Sequence, residues 1–393
     1  LTFAELDSFS SCLAQHIQSL ELGDAKAIPL CFEKSKWAIV GMLGVLKAGR
    51  AFTLIDPSNP PARARQICRQ TAATISIASP YQCDMMRALV PDCIVVDDDF
   101  FKSLAFDTDQ FQPTATPQTL AYILFTSGST GEPKGSMMEH HGFVSCCLEF
   151  GAALGINSNT RALQFASYAF GACLLEILTT LMHGGTVCIP SDDERINDAP
   201  GFIRRANVNW AILTPSFIGA IQPTTVPNLK TLVLVGEAMP SDIRDVWASH
   251  VQLKNAYGQS ESATICSVTE VTPATVEAHN IGHAVGARFW ITDPNNPNKL
   301  APIGCVGELL VESPGIARGY LIPLPADATP FIDTLPDWYP RTQPLDNFKF
   351  YRTGDLVCYR SDGTVVYLGR RDSQIKIRGQ RVEIGEVETC LRQ

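Results

Sequence analysis

A run of hydroxyl side chains and glycines, closed by a lysine, follows the apolar residues 122–125. The run comprises Thr126, Ser127, Gly128, Ser129, Thr130 and Gly131, and the lysine is Lys134. Glycines let backbone N–H groups approach an anion closely, hydroxyls add donors, and lysine adds positive charge. The spacing differs from that of a Walker loop. The sequence therefore predicts a loop that grips phosphate, although any four of these residues alone would indicate an ordinary surface turn.

At full length this run closely resembles the phosphate-binding loop of the acyl-adenylate-forming enzymes, which include nonribosomal peptide synthetase adenylation domains, acyl- and aryl-CoA ligases and luciferases. Segments typical of these enzymes follow in a fixed order along essentially the whole chain. They occupy residues 1–6, 46–49, 54–57, 60–63, 164–167, 236–238, 255–258, 307–309, 317–320, 351–355, 369–372, 376–379 and 383–388, with Glu261 and Arg381. The last segment is similar to that of peptide synthetase adenylation domains rather than CoA ligases.

The resemblance implies an enzyme that uses ATP and Mg²⁺ to adenylate a carboxylic acid and release pyrophosphate. In such a reaction the protein mainly supplies positioning and charge neutralisation. The implied catalytic residues are Glu261 as the Mg²⁺ ligand, Ser260 as a donor to the α-phosphate, Lys134 at the phosphates, and Arg370 at the phosphate or the ribose. The implied nucleotide site adds residues 126–131 to an adenine and ribose site made of Gly236, Glu237, Ala238, Asn255, Tyr257 and Asp355.

Taken singly, these residues have ordinary structural interpretations. Tyr257 would be a core residue, Asp355 a turn residue, and Arg370 with Asp372 a surface ion pair of little worth. Their joint occurrence in order favours the site. The chain also departs from the usual pattern, since Gln259 stands where proline is usual.

A further set of residues is implied to line the pocket for the acid. It comprises Phe170, Gly171, Ala172, Leu175, Leu213, Val233, Val235, Ala256, Gly258, Thr264 and Ile265. Relatives that activate amino acids carry Asp at the place of Gly171, where it pairs with the α-ammonium group. Because an unpaired ammonium in a dry pocket is costly, the sequence predicts a neutral acid rather than an ordinary α-amino acid. Alternatively, Gly171 merely marks a helix start and the charge comes from elsewhere.

The expected space beside Gly171 favours an aryl acid such as anthranilate, whose amine is uncharged at neutral pH. The β-branched Val233 and Val235 would equally hold a branched aliphatic chain, so an α-hydroxy or α-keto acid is the alternative. A free-standing aryl- or acyl-CoA ligase is another. A module that binds nucleotide without chemistry is an alternative from a different class.

Composition narrows the protein class. The chain has 393 residues, 45% of them hydrophobic, and can bury a large core. A net charge of −9 without a basic run argues against a nucleic-acid surface. The sequence shows no apolar run of membrane-spanning length and no signal segment, so we expect a cytoplasmic protein. Its 13 cysteines lack C-x-x-C pairing, so we expect reduced thiols. The implied partners are carrier (thiolation) and condensation domains of the same synthetase.

Apolar strands alternate with helical patterns up to about residue 270. This pattern predicts an α/β fold with two largely parallel sheets layered with helices. The candidate strands lie at residues 27–32, 51–55, 121–125, 186–190, 209–213 and 231–235, and the candidate helices at 36–47 and 174–182. A small antiparallel, barrel-like β subdomain is expected to follow, with a hairpin turn at Ser361, Asp362 and Gly363.

The expected domain division places the α/β core at residues 1–274 and the β-rich subdomain at 275–371. Residues 372–393 are expected to hold a hinge at Asp372 and the start of a mobile C-terminal subdomain. The catalytic lysine of that subdomain has no counterpart before Gln393, so the chain alone is expected to be weakly active or inactive. Residues 106–118 are typical of a surface linker.

Overall fold

The structure is a computed structural model of the chain. It describes residues 1–103, 111–128, 132–274, 279–332, 334–340, 349–372, 374–377, 379–384, 387 and 391.

A first sheet organises the N-terminal part. Its strands are β1 (Ile28–Cys31), β2 (Phe52–Ile55), β3 (Ile75–Ala78), β4 (Asp92–Val95), β5 (Leu120–Thr126) and β6 (Lys134–Glu139). They lie in the order β4-β3-β1-β2-β5-β6, parallel from β4 to β5. The last pair, β5 and β6, is antiparallel and brings Thr126 opposite Lys134. The predicted phosphate loop is therefore the connection between two neighbouring strands.

Helices cover both faces of this sheet. They are α1 (Phe3–Gln18), α2 (Lys36–Lys47), α3 (Pro61–Gln70), α4 (Cys83–Arg87) and α5 (Asp98–Ser103). Alternate strand residues fall in two separate clusters, because successive side chains of a strand point to opposite faces. Leu30 and Leu124 pack in the cluster that contains α1 and α2 residues, whereas Cys31 and Ile123 pack with residues of α3. Because both faces of this sheet are buried, its strands are continuous apolar runs in the sequence.

A second sheet begins with five parallel strands. They are β7 (Arg161–Leu163), β8 (Thr186–Cys188), β9 (Trp210–Leu213), β10 (Thr231–Leu234) and β11 (Gln252–Tyr257). The helices of this part are α6 (His140–Leu154), α7 (Ala172–Leu174), α8 (Thr180–Met182), α9 (Asp192–Asn197), α10 (Ala199–Arg205), α11 (Pro215–Ile218) and α12 (Ser241–Trp247), with a π-helical turn at Leu175–Thr179 and a 3₁₀ turn at Pro223–Thr225. The π-helical turn joins α7 to α8 without a break.

Antiparallel strands continue the second sheet. They are β12 (Ser267–Val271), β13 (Asn280–Ala284), β14 (Arg288–Asp293), β15 (Asn296–Leu300), β16 (Gly307–Ser313), β17 (Phe331–Ile332), β18 (Lys349–Tyr359) and β19 (Val365–Arg370). Their order is β15-β14-β16-β18-β19-β13-β12, and β12 pairs with β11. Two further strands, β20 (Ile375–Ile377) and β21 (Gln380–Val382), form a hairpin of their own. Hydrogen bonds between β12 and β13 make the expected β-rich part continuous with the parallel sheet.

Several local predictions are confirmed. The helix expected at Lys36–Lys47 has these bounds, and Trp37 and Val45 are among its buried residues. The strands expected near residues 28, 52, 121, 186, 210 and 231 are present. The hairpin between β18 and β19 turns at Gly363, whose φ of +80° lies in the left-handed region that favours glycine.

Other elements were not predicted. The strands β3, β4, β6, β7, β11 and β12 lay outside the candidate segments. Within the expected linker, residues 111–116 have no regular structure, and residues 106–110 lie outside the described residues. Within the described part of the chain, every helix is too short or too polar to cross a membrane.

Candidate active site

A cavity of about 610 Å³ opens where β5 and β10 end. It is lined by several predicted site residues, namely Thr126, Ser127, Phe170, Gly171, Ala172, Leu175, Val235, Gly236, Gly258, Ser260, Thr264 and Ile265. Ligands of open α/β sheets lie beyond the carboxyl ends of the parallel strands, so the position fits a ligand site. A second cavity, of about 320 Å³, shares Gly236 and Gly258 with the first. It is also lined by the predicted residues Glu237, Ala238, Asn255, Ala256, Tyr257 and Arg370.

The connection between β5 and β6 is tightly closed. A Cβ atom at Gly128 would lie 2.0 Å from the carbonyl oxygen of Glu132, so only glycine fits there. The α3 helix holds the far side of the connection, because Gln70 donates to Glu132 Oε2 at 3.2 Å and to the Pro133 carbonyl at 3.1 Å. The predicted loop residues Ser129, Thr130 and Gly131 lie outside the described residues.

A hydrogen-bond network surrounds the carboxylate of Asp355, which is buried. Its Oδ2 accepts hydrogen bonds from the hydroxyl of Tyr257 and, at 2.9 Å, from the amide of Gln259. Its Oδ1 accepts from Arg370 Nη1 at 2.9 Å. Burial, followed by the charge of Asp355, raises the pKa of Tyr257 well above its ordinary value, so Tyr257 is a neutral donor. The network fixes the carboxylate beside the second cavity.

Arg370 connects this carboxylate to the segment that follows β19. Its guanidinium donates from Nε to Asp372 Oδ1 at 2.9 Å and from Nη1 to the Thr353 carbonyl at 2.6 Å. Burial alone would lower the pKa of Arg370, but its hydrogen bond to Asp372 and the charge of Asp355 raise it overall. The predicted hinge residue Asp372 is thus tied to the predicted ribose site through Arg370.

The predicted metal ligand, Glu261, is completely buried. Its Oε1 accepts a hydrogen bond from the Tyr320 hydroxyl at 2.8 Å. Among the described residues, no group of three His, Cys, Asp or Glu side chains could hold a metal by protein ligands alone. A single carboxylate fits Mg²⁺ in a nucleotide complex, because that ion is commonly held by one or two carboxylates and substrate phosphates.

Gly171 precedes α7 and has an ordinary helical φ of −55°. Its backbone therefore does not require glycine, but its surroundings restrict the side chain. An added Cβ would lie 3.0 Å from Thr264 Cγ2 and 3.2 Å from Leu124 Cδ2. A side chain at this position would thus be in close contact with Thr264 and Leu124, while Gly171 itself lines the larger cavity. The alternative reading of Gly171 as a helix start is also compatible with its position.

Asp56 is the sole carboxylate among the described residues that line the larger cavity. Its Oδ1 accepts from the backbone N–H and the hydroxyl of Ser58 at 2.9 and 2.6 Å, and its Oδ2 accepts from the Ser167 hydroxyl. Burial alone would raise the pKa of Asp56, but the hydrogen bonds from Ser167 and Ser58 lower it. The sequence did not indicate this residue. Its two oxygens accept three hydrogen bonds from local serines.

A buried polar relay supports the segment that leads to Gly171. Lys34 Nζ donates to Gln164 Oε1 at 2.8 Å, and Gln164 Nε2 donates to Glu176 Oε2 at 3.0 Å. Glu176 also accepts from the Ala166 backbone N–H at 3.1 Å. Burial raises the pKa of Glu176 to about 7 and lowers that of Lys34. The one sequence signal for this relay was a glutamate inside the apolar segment 172–178.

The sequence profile of the family described as AMP-binding enzyme matches residues 1–321. The chain belongs to the AMP-binding enzyme family. Two curated relatives are PF 1022-synthetase of Rosellinia sp., 62% identical over 392 residues, and the beauvericin nonribosomal cyclodepsipeptide synthetase of Gibberella fujikuroi, 56% identical over 397 residues. Each alignment covers 100% of this chain but 12% and 13% of the relatives, so the chain spans a small part of their length.

The fold is shared with solved members of the peptide synthetases. An artificially fused adenylation–PCP di-domain synthetase from Klebsiella oxytoca superimposes with a TM-score of 0.82 at 24% identity, covering 100% of this chain and 78% of that one. The predicted mixed α/β fold is confirmed. The predicted resemblance to peptide synthetase adenylation domains is confirmed as well.

Not all residues predicted from the family pattern face the two cavities. The following predicted residues line neither of them: Gly128, Lys134, Leu213, Val233, Glu261, Asp355 and Asp372. Leu213 and Val233 belong to the central strands β9 and β10 and pack within the core. Asp355 and Glu261 are held behind the cavity walls by Tyr257 and Tyr320, respectively. Their roles in the family pattern stay predictions.

Proposed function

We propose that the chain adenylates an α-hydroxy acid as one domain of a multidomain synthetase. The proposal rests on Gly171, which occupies the position at which relatives that activate amino acids carry the Asp that pairs with the substrate ammonium. The sole described carboxylate of the cavity, Asp56, accepts hydrogen bonds from Ser58 and Ser167 and does not occupy the position at which the family pattern places the partner of the ammonium. A buried ammonium without a partner is strongly disfavoured, whereas a neutral hydroxyl is not.

The relatives support the hydroxy acid over the other neutral acids. One of them is named a cyclodepsipeptide synthetase, and a depsipeptide contains ester bonds, which require a hydroxy acid beside the amino acids. Anthranilate, which the sequence favoured, has no such support from the relatives. The apolar Val235, Leu175 and Ile265 suit an aliphatic side chain.

In the proposed reaction a carboxylate oxygen of the acid bonds to the α-phosphorus of ATP. The bond from that phosphorus to the bridging oxygen breaks, and pyrophosphate leaves with the electron pair. The connection between β5 and β6 would hold the phosphates, with Ser260 and Lys134 as donors. Asp355 has acceptor capacity left for the ribose hydroxyls, since a carboxylate offers about four lone-pair sites. Mg²⁺, held by Glu261 and phosphate oxygens, would neutralise phosphate charge.

The partners and compartment belong to the same proposal. A carrier domain would accept the acyl group as a thioester, and a condensation domain would use it. The solved relative that joins an adenylation domain to PCP supports such a neighbour. Within the described residues no helix can cross a membrane, which is consistent with the proposed cytoplasmic synthetase.

The first test is binding of nucleotide. A folded sample of the chain is expected to bind AMP and Mg·ATP, because Thr126, Tyr257 and Asp355 all lie within it. Isothermal titration calorimetry measures this directly. In the intact synthetase, pyrophosphate exchange should then depend on an added α-hydroxy acid. Absence of AMP binding at millimolar concentration would overturn the assignment, and turnover with free CoA as acceptor would favour a CoA ligase instead.

The second test concerns the ribose. Asp355→Ala is expected to weaken AMP binding by roughly 1–3 kcal/mol, the usual range for hydrogen bonds to a charged group. Asp362→Ala is the matched control, since Asp362 is an exposed carboxylate in the same hairpin that bonds Thr364. Asp355→Asn keeps the shape of the side chain, and its affinity for AMP should lie between those of Asp355→Ala and Asp362→Ala. Equal affinity of the Asp355→Ala and wild-type proteins would show that the ribose is bound elsewhere.

A further inference from the structure

Thr264 has a backbone conformation that β-branched residues rarely adopt. Its φ is +81°, and the preceding Ala263 has φ +52°. A left-handed conformation is costly for a threonine and persists only where the surroundings impose it. Here the Thr264 N–H donates to the Gln259 carbonyl at 3.2 Å. A Cβ at Gly258 would lie 2.6 Å from the Thr264 carbonyl oxygen, so the loop between β11 and β12 is packed tightly on itself.

The side chain of Thr264 is also incompletely satisfied. Thr264 is 8% exposed and lines the larger cavity. Its hydroxyl has no hydrogen-bond partner within the described part of the chain. Buried hydroxyls normally find a partner, because leaving one without a hydrogen bond is costly. Backbone strain and an unsatisfied hydroxyl therefore coincide in one residue of a cavity wall, a combination typical of ligand sites.

The neighbouring atoms indicate which part of the ligand this hydroxyl would meet. The Cγ2 atom of Thr264 lies 3.0 Å from the position of a Cβ at Gly171. A rotation of about 120° in χ1, from one staggered rotamer to the next, brings Oγ1 to the place of Cγ2. The hydroxyl then occupies the side of the cavity from which an Asp at position 171 would reach a substrate's α-substituent. On the other side of Gly171, Leu124 Cδ2 offers carbon only.

We propose that the Thr264 hydroxyl binds the α-hydroxyl of the acid, an inference that rests on the proposed function. A hydroxyl can both donate and accept, so it suits another hydroxyl. It carries no charge and does not compensate an ammonium. Gly171 and Thr264 therefore act together: Gly171 removes the carboxylate, and Thr264 replaces it with a neutral partner. Thr264 is a specificity-determining residue in this arrangement.

The proposal is tested by removing the hydroxyl of the substrate and the hydroxyl of Thr264, separately and together. Pyrophosphate exchange by the intact synthetase is measured with 2-hydroxy-3-methylbutanoate and with 3-methylbutanoate, which lacks the α-hydroxyl. Thr264→Val removes the protein hydroxyl and retains the β-branched shape and its strain. The preference in kcat/KM for the hydroxylated acid is expected to fall about tenfold in Thr264→Val, the loss of one hydrogen bond. Because the preference is a ratio, a general loss of activity cancels from it, and Thr264→Ser should keep the wild-type preference.

Thr264→Gly separates this role from a structural one. Glycine relieves the positive φ, so the variant should unfold at a higher temperature than wild type while its preference for the hydroxylated acid falls. Thr264→Gly also tests the loss of the hydroxyl if Thr264→Val does not fold. An unchanged preference in these variants, with the hydroxy acid still activated, overturns the role of Thr264 and leaves the proposed function standing. A folded wild type that activates neither acid overturns both.

Discussion

The intact synthetase is expected to activate an α-hydroxy acid about a thousandfold better than the α-amino acid with the same carbon skeleton, if ~4 kcal/mol of unpaired-charge cost is realised. The physical reason is the absence of a carboxylate at Gly171 in a cavity whose Asp56 is bound to serines. The measurement is kcat/KM in pyrophosphate exchange for 2-hydroxy-3-methylbutanoate and valine, with anthranilate as a third acid.

Gly171→Asp is expected to reverse part of this preference. The hydroxy acid should lose activity, because a Cβ at this position comes within 3.0 Å of Thr264 and 3.2 Å of Leu124 and because the carboxylate would lack a partner. Valine should gain activity, although incompletely while Thr264 crowds the new side chain. The double variant Gly171→Asp/Thr264→Gly should extend the gain, since it removes the closest contact.

Gly171→Asn is the control that separates charge from size. It crowds Thr264 and Leu124 as Asp does but brings no negative charge. The hydroxy acid should therefore lose activity with either substitution, whereas valine should gain with Asp alone. A similar gain with Asn would show that charge is not the reason for the selectivity. A wild-type protein that prefers valine would overturn the pocket interpretation and leave adenylation itself intact.

The sequence predictions succeeded for features that depend on residues close together in the sequence. Local patterns were enough for the helix Lys36–Lys47, for the strands that begin near residues 28 and 231, and for the turn at Gly363. The composition of residues 126–134 also indicated a connection after β5, and its role in binding phosphate stays a prediction. Such features depend on neighbours in the sequence.

Features that depend on packing between distant segments could not be predicted. The approach of Thr264 to the position of a Cβ at Gly171 was not indicated by either segment. The hydrogen bond from Tyr320 to Glu261 was not indicated either, and the role of Glu261 as a metal ligand stays a prediction. No periodicity or spacing specifies which buried side chains meet across two sheets. Side-chain contacts of this kind require the folded arrangement.

The relay of Lys34, Gln164 and Glu176 is such a feature, and its disruption should have a large effect on stability. Lys34→Met is expected to lower the free energy of unfolding well above pH 7 by on the order of 3 kcal/mol, because it leaves the buried Glu176 carboxylate without a counter-charge. Burial already raises the pKa of Glu176 to about 7, so the loss should grow as the pH rises through that value, and urea denaturation below and above it measures the change.

The charge explanation for the relay is tested by the double variant Lys34→Met/Glu176→Gln. Replacing both charges by neutral side chains of similar volume is often neutral or stabilising, so the double variant should recover most of the stability that Lys34→Met loses. Lys36→Met is the matched control, since Lys36 forms an exposed pair with Asp98 and should change stability by less than about 1 kcal/mol. If the double variant is as unstable as the sum of the single variants, the two charges are not coupled. The loss in Lys34→Met would then come from the hydrogen bonds of Lys34 to Gln164 and to the Ala166 carbonyl, which hold the segment leading to Gly171.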